Sequence, residues 1–156
     1  MDFSQYSQEF QALHQQHQAY LQVADKRVMT VLEEMLQEAL KTENPELIGY
    51  VYHSMAFAEH FVMGRYKNYL KYLSLSATYL LRAKDPAEMM HIYYLVAIDS
   101  MNKGLNDIAA HYFYEARLIA EISHLETSAA VLDDALRETG DPSLAWVAEI
   151  PYSQLH

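Results

Sequence analysis

The stretch Tyr94-Leu-Val-Ala-Ile-Asp-Ser-Met-Asn-Lys-Gly104-Leu-Asn-Asp-Ile-Ala-Ala-His-Tyr-Phe-Tyr-Glu-Ala-Arg117 sets the pattern for the whole chain. Apolar residues recur on both sides of Gly104 with helical rather than alternating period, so the segment reads as two helices meeting at a glycine. A tight helix-to-helix turn needs a residue at positive φ, where a Cβ is costly and glycine is not. Moving outward, further breaks fall at Asp85-Pro86, Gly64, Asn44-Pro45 and Gly140-Asp141-Pro142. They predict helices over about 5–22, 25–42, 45–63, 66–83, 86–103, 106–123, 125–139 and 142–149. No stretch alternates polar and apolar residues for long enough to form a strand. The expected fold class is all-α.

Gly64 and Gly104 lie 40 positions apart, and a slide of 40 pairs Met55 with Leu95, Ala56 with Val96, Ala58 with Ile98, Glu59 with Asp99, Phe61 with Met101, Tyr72 with Tyr112, Leu73 with Phe113 and Ser76 with Ala116. Few pairs are identical, but their character agrees. Each unit is a helix, a glycine turn, a second helix and a polar or proline break. Small residues at Ala56, Ala58, Ala97, Ala109, Ala110 and Ala116 let paired helices approach closely. Tyr72, Leu73, Tyr112 and Phe113 fill the space to the next hairpin. One domain over 1–156 is expected, with an N-terminal helical pair at 1–43, repeats at 44–84 and 85–124, and a partial repeat or cap at 125–150.

Composition narrows the function. Of 156 residues, 51% are apolar and 21% charged, with four Gly and four Pro, which excludes a disordered chain. The absence of Cys removes disulfides, thiolate catalysis and Cys-based zinc sites, and suits a cytoplasmic location. A net charge of −10 with scattered Lys and Arg argues against nucleic acid as a partner. No apolar run is long enough to span a membrane, and the N-terminus has neither the basic start nor the apolar core of an export signal.

The segment 94–117, together with Asn44-Pro-Glu-Leu-Ile-Gly-Tyr50, resembles tetratricopeptide hairpins, and more narrowly the helical repeats that precede GGDEF diguanylate cyclase domains in some Gram-positive bacteria. The resemblance covers about residues 44–149. It departs from the family in a period longer than about 34 residues and in Tyr69, where Ala is usual; no Gly-Gly-Asp/Glu-Glu-Phe sequence occurs in the chain. It implies an α-α superhelix of stacked hairpins and a non-catalytic sensory or scaffolding module that binds a protein or peptide. A peptide-sensing regulator like the tetratricopeptide receptors of quorum systems is the alternative. In such arrays the first helix of each hairpin lines the groove, which nominates Val51, Ser54, Ala58, Phe61 and Val62, then His91, Tyr94, Ile98, Met101 and Asn102. An apolar end at Trp146, Val147 and Ile150, beside Leu144, makes a second copy of the chain a further candidate partner.

One catalytic constellation competes. Glu88-Met-Met-His91 and Glu121-Ile-Ser-His124 repeat the Glu-x-x-His spacing of di-iron bundles, in which two such pairs and two further carboxylates hold the metals. Glu88 stands in a first turn and Glu121 near a helix end, however, and residues 92–103 offer only Asp99. The pairs read better as solvated residues complementing helix dipoles. No cofactor is expected. Phosphate-binding glycine loops, His-Glu-x-x-His and Gly-x-Ser-x-Gly are all missing.

Overall fold

The computed structural model describes residues 4–123 together with Leu132, Asp134, Arg137 and Glu138. The fold is all-α: α1 (Gln8–Gln22), α2 (Val28–Thr42), α3 (Pro45–Ala58), continued by a π-helical turn over Glu59–Met63, then α4 (Tyr66–Leu80), α5 (Pro86–Asn102) and α6 (Asn106–Ile122). No strand occurs among the described residues, and no helix there is long and apolar enough to cross a membrane. Most of the expected 125–139 helix, all of the 142–149 helix, His124, Trp146, Val147 and Ile150 lie outside the described residues. The chain divides between Ala83 and Lys84 into two compact units, Met1–Ala83 and Lys84–His156.

Local chemistry explains where helices start and stop. The Ser7 hydroxyl accepts from the Phe10 N–H at 3.1 Å, so α1 begins three residues later than the periodicity predicts. Asn44 accepts from Glu46 N–H at 3.0 Å and Asp85 from Glu88 N–H at 3.1 Å, each followed by a proline at the first helical position, where its missing N–H costs nothing. Gly64 and Gly104 take φ of +68° and +75°, as the turn argument requires.

In the first unit, the apolar stripe of α2 (Val28, Val31, Leu32, Met35 and Ala39) forms one core with Phe10 of α1 and with Leu47, Ile48, Val51, Met55 and Ala58 of α3. The α3–α4 pair closes at Gly49. There the Ser76 hydroxyl donates to the Gly49 carbonyl at 2.8 Å, and a Cβ on Gly49 would fall 2.6 Å from Leu80 Cγ. In the second unit α5 packs along α6. Ala97 of α5 and Ala109, Ala110 and Ala116 of α6 are fully buried, as are Ala56 and Ala58 in α3, so the small residues do sit where helices approach.

The two hairpins correspond more closely than a uniform slide of 40 allows. Pro45 to Gly64 is one residue longer than Pro86 to Gly104, and the π turn absorbs the extra residue. The turn hydrogen bonds record it: Arg65 N–H reaches Glu59 O at 2.9 Å, whereas Leu105 N–H reaches Ser100 O, also at 2.9 Å, across one residue fewer. Before the π turn the matching offset is therefore 41, and after it 40. Asn44 then matches Asp85, Ala56 matches Ala97, and Tyr52 matches Tyr93. The tyrosines support this register, because Tyr52 stacks on Tyr72 at 6.1 Å and Tyr93 meets Tyr112 at 5.9 Å. The pairings of Met55 with Leu95 and Ala56 with Val96 are thus shifted by one. Tyr72, Tyr112 and Phe113 also make ring contacts inside their own hairpins, Phe113 with Tyr94 at 5.8 Å.

Candidate binding surface

The outer face of α5 breaks the usual rule for a surface helix. Its buried stripe runs through Met89, Ala97 and Ser100, with Tyr93 half-buried between them. The opposite stripe should be polar, yet its middle is apolar: Ile92 is 42% exposed, Leu95 52% and Val96 37%. Glu88 and His91 lie exposed toward the N-terminal end of this face, Asp99 and Asn102 toward the other. A helix that is apolar on its solvent side has surface suited to a partner. Asp99 forms an exposed ion pair with Lys103 at 2.7 Å, while Glu88 caps no cation among the ion pairs that involve described residues.

The register shows what such a face can hold. Ile92, Leu95 and Val96 match Val51, Ser54 and Met55, all buried. In the first unit Val51 and Met55 belong to the core that the apolar stripe of α2 completes. The same face of the same kind of helix is thus covered by an amphipathic helix in one unit and exposed in the other.

Behind it, α6 is buried around its circumference and carries a polar ladder. His111 and Glu115 are both fully buried, with Nε2 to Oε2 at 3.8 Å. Tyr93 of α5 hydrogen-bonds to Glu115; burial first, then that carboxylate, pushes the Tyr93 phenol well above its ordinary range. One turn on, Arg117 pairs with Glu121 at 2.9 Å. Burial likewise raises the Tyr114 phenol. Of these contacts the hydrogen bond from Tyr93 to Glu115 joins α5 to α6, a charge-assisted bond in a dry interior, while the His111–Glu115 and Arg117–Glu121 pairs lie within α6.

Of the residues nominated from sequence, His91 and Asn102 stand on this face, while Tyr94, Ile98 and Met101 are half-buried on its flanks. Ser54 and Ala58 are buried, with Ala58 inside the first unit's core beside Val51; Phe61 and Val62 are half-buried at the π turn. Ile92, Leu95 and Val96 are not nominated from the sequence, where Leu95 and Val96 enter only as repeat partners of Met55 and Ala56. Of the residues in the di-metal reading, Glu88 and His91 are exposed and Glu121 pairs with Arg117.

A second polar feature marks the first unit. Glu59, 1% exposed, opens the π turn and accepts two hydrogen bonds from Arg65, both 2.7 Å, with Asn68 at 3.5 Å. The pair straddles Gly64 and fixes the turn; hydrogen bonding to Glu59 raises the Arg65 pKa. Its partners satisfy it, so it is a turn brace rather than an open site.

No protein-family model, curated protein or solved structure matches the chain.

Proposed function

We propose that this chain is a non-catalytic interaction module whose α5 face receives an amphipathic helix of a partner protein or peptide. The exposure of Ile92, Leu95 and Val96 carries this reading, because the equivalent residues of α3 are covered by a helix of that kind. Helix-in-groove recognition uses apolar anchors at i, i+3 and i+4, which is the spacing on α5. Charge selects the partner further. Glu88 and Asp99 bracket the patch about 16 Å apart at 1.5 Å per residue, in a chain of net charge −10. The matching ligand is an apolar stripe flanked at both ends by Lys or Arg.

The likeness of residues 94–117 to the repeats beside diguanylate cyclases favours a regulatory role for this binding, in which partner occupancy governs an output carried on another domain or chain. A role in bacterial signalling fits that likeness.

The test is a titration with a synthetic helical peptide bearing Leu at i, i+3, i+4 and i+7 and two Lys at each end. Binding should be micromolar, weaken about tenfold or more in Ile92→Glu/Leu95→Glu, and weaken again when the peptide's Lys are replaced by Glu. Equal binding by the variant and the parent would overturn the proposal. So would sedimentation showing that the parent is a dimer and the variant a monomer, which would give the face to a second copy of the chain.

A further inference from the structure

Outside the α5 face, the most costly unexplained group is His17. It is 4% exposed, and neither ring nitrogen has a hydrogen-bond partner among the described residues. A neutral imidazole carries one donor and one acceptor, so both go unmet at this nearly buried ring. Such a group in a folded chain calls for a reason. Burial, and secondarily His14, holds the His17 pKa down to about 4, so the ring is an uncharged ligand at neutral pH.

His14 precedes it by three residues on the same face of α1. The rings lie 5.9 Å apart between centroids, and His14 also meets the Tyr50 ring of α3 edge-on at 6.1 Å. Burial lowers the His14 pKa as well. Two neutral imidazoles one helical turn apart can converge on one small ion, since residues at i and i+3 have neighbouring Cβ atoms. Imidazole favours late first-row divalent cations; Ca²⁺ and Mg²⁺ require oxygen ligands.

We propose that His14 and His17 form a two-imidazole site for a late first-row divalent cation such as Zn²⁺, with solvent completing its coordination. The ion enters on the half-buried His14 side and meets the otherwise unpaired His17 nitrogen behind it. Because α1 carries both ligands, occupancy staples one turn of that helix, which packs on the α2–α3 core through Phe10.

The experiment is calorimetric titration of chelator-treated full-length protein with Zn²⁺, with thermal melts alongside. One equivalent should bind. At about 100 times the dissociation constant the melting temperature should rise by roughly 5–10 °C, and EDTA should reverse the rise. His14→Gln and His17→Gln should each weaken binding about tenfold or more, and Ca²⁺ should produce no effect. Should His17→Gln fold poorly, His17→Leu, which suits a buried apolar position, and His14→Gln keep the test intact. Absence of Zn²⁺ binding at millimolar concentration would overturn the proposal. Undiminished binding in the His14 and His17 variants would also overturn it, placing the ion on others of the eight histidines.

Discussion

From Asn44 to Leu80 and from Asp85 to Ile122 the chain repeats one construction: a side-chain cap, a proline, a helix, a glycine at positive φ and a returning helix joined to the first by a tyrosine pair. The contents differ in an orderly way. The first hairpin has Gly49 and the bulky Leu80 where the second has Met90 and the small Ala120, so side-chain volume changes hands between the two helices. It buries Tyr69 against His60 of the π turn, with rings 5.0 Å apart, where the second buries Ala109. It also keeps α3's Val51 and Met55 covered, where α5 leaves Ile92 and Val96 exposed. Features common to both hairpins belong to the framework. Features that differ without a compensating change, as on the outer face of α5, point to function.

The volume exchange gives the largest expected effect. Gly49→Met should lower stability by about 3 kcal/mol or more, because its Cβ meets Leu80 Cγ at 2.6 Å and backbone nitrogen at 3.2 Å, leaving the new side chain no space. Leu80→Ala alone should cost about 2–5 kcal/mol through the cavity it opens. The double variant copies the second hairpin's residues and should be more stable than the sum of the two losses by about 1 kcal/mol or more. Strict additivity in denaturant melts would show that the hairpins do not share this packing plan.

Much of the fold was legible because its signals are local. A cap followed by proline, or a glycine between apolar stretches, is decided by a few adjacent residues, and the predicted breaks at Pro45, Gly64, Pro86 and Gly104 all fall at helix ends. The π turn was hidden by the choice of anchor: aligning the glycines gives 40 throughout, whereas the proline caps differ by 41. The exposed face was illegible for another reason. Ile92, Leu95 and Val96 have the spacing of core residues, and periodicity cannot say whether anything covers them. Similarly, His111 and Glu115 show the i,i+4 spacing of a surface ion pair, yet the helix around them is buried.

A middle-sized effect sharpens the shared part of the plan. Around both Gly64 and Gly104 a Cβ would meet nothing within 4 Å, so a side chain there suffers from φ alone. Gly64→Val and Gly104→Val should each cost about 1–2 kcal/mol, and chemical denaturation should return similar values for both. A variant that melts with the parent would remove that glycine from the strained class. A loss much larger at Gly64 than at Gly104 would instead mean that the Glu59–Arg65 brace and the π turn depend on the glycine.

The smallest expected effect separates function from framework most sharply. Ile92→Lys/Leu95→Lys replaces two apolar residues that are 42% and 52% exposed, on a helix whose attachment runs through Met89, Tyr93, Ala97 and Ser100. Lysine is as good a helix former as leucine and better than isoleucine, and its head can stay in water. Thermal stability should therefore change by no more than about 0.5 kcal/mol. Solubility should improve, because the exposed patch is broken up. Their counterparts Val51 and Ser54 are buried, so the same pair of changes in α3 would force two charges into the core. If the α5 double variant unfolds, Ile92 and Leu95 are held in a core of their own, and the contrast between the hairpins would disappear along with the binding surface built on it.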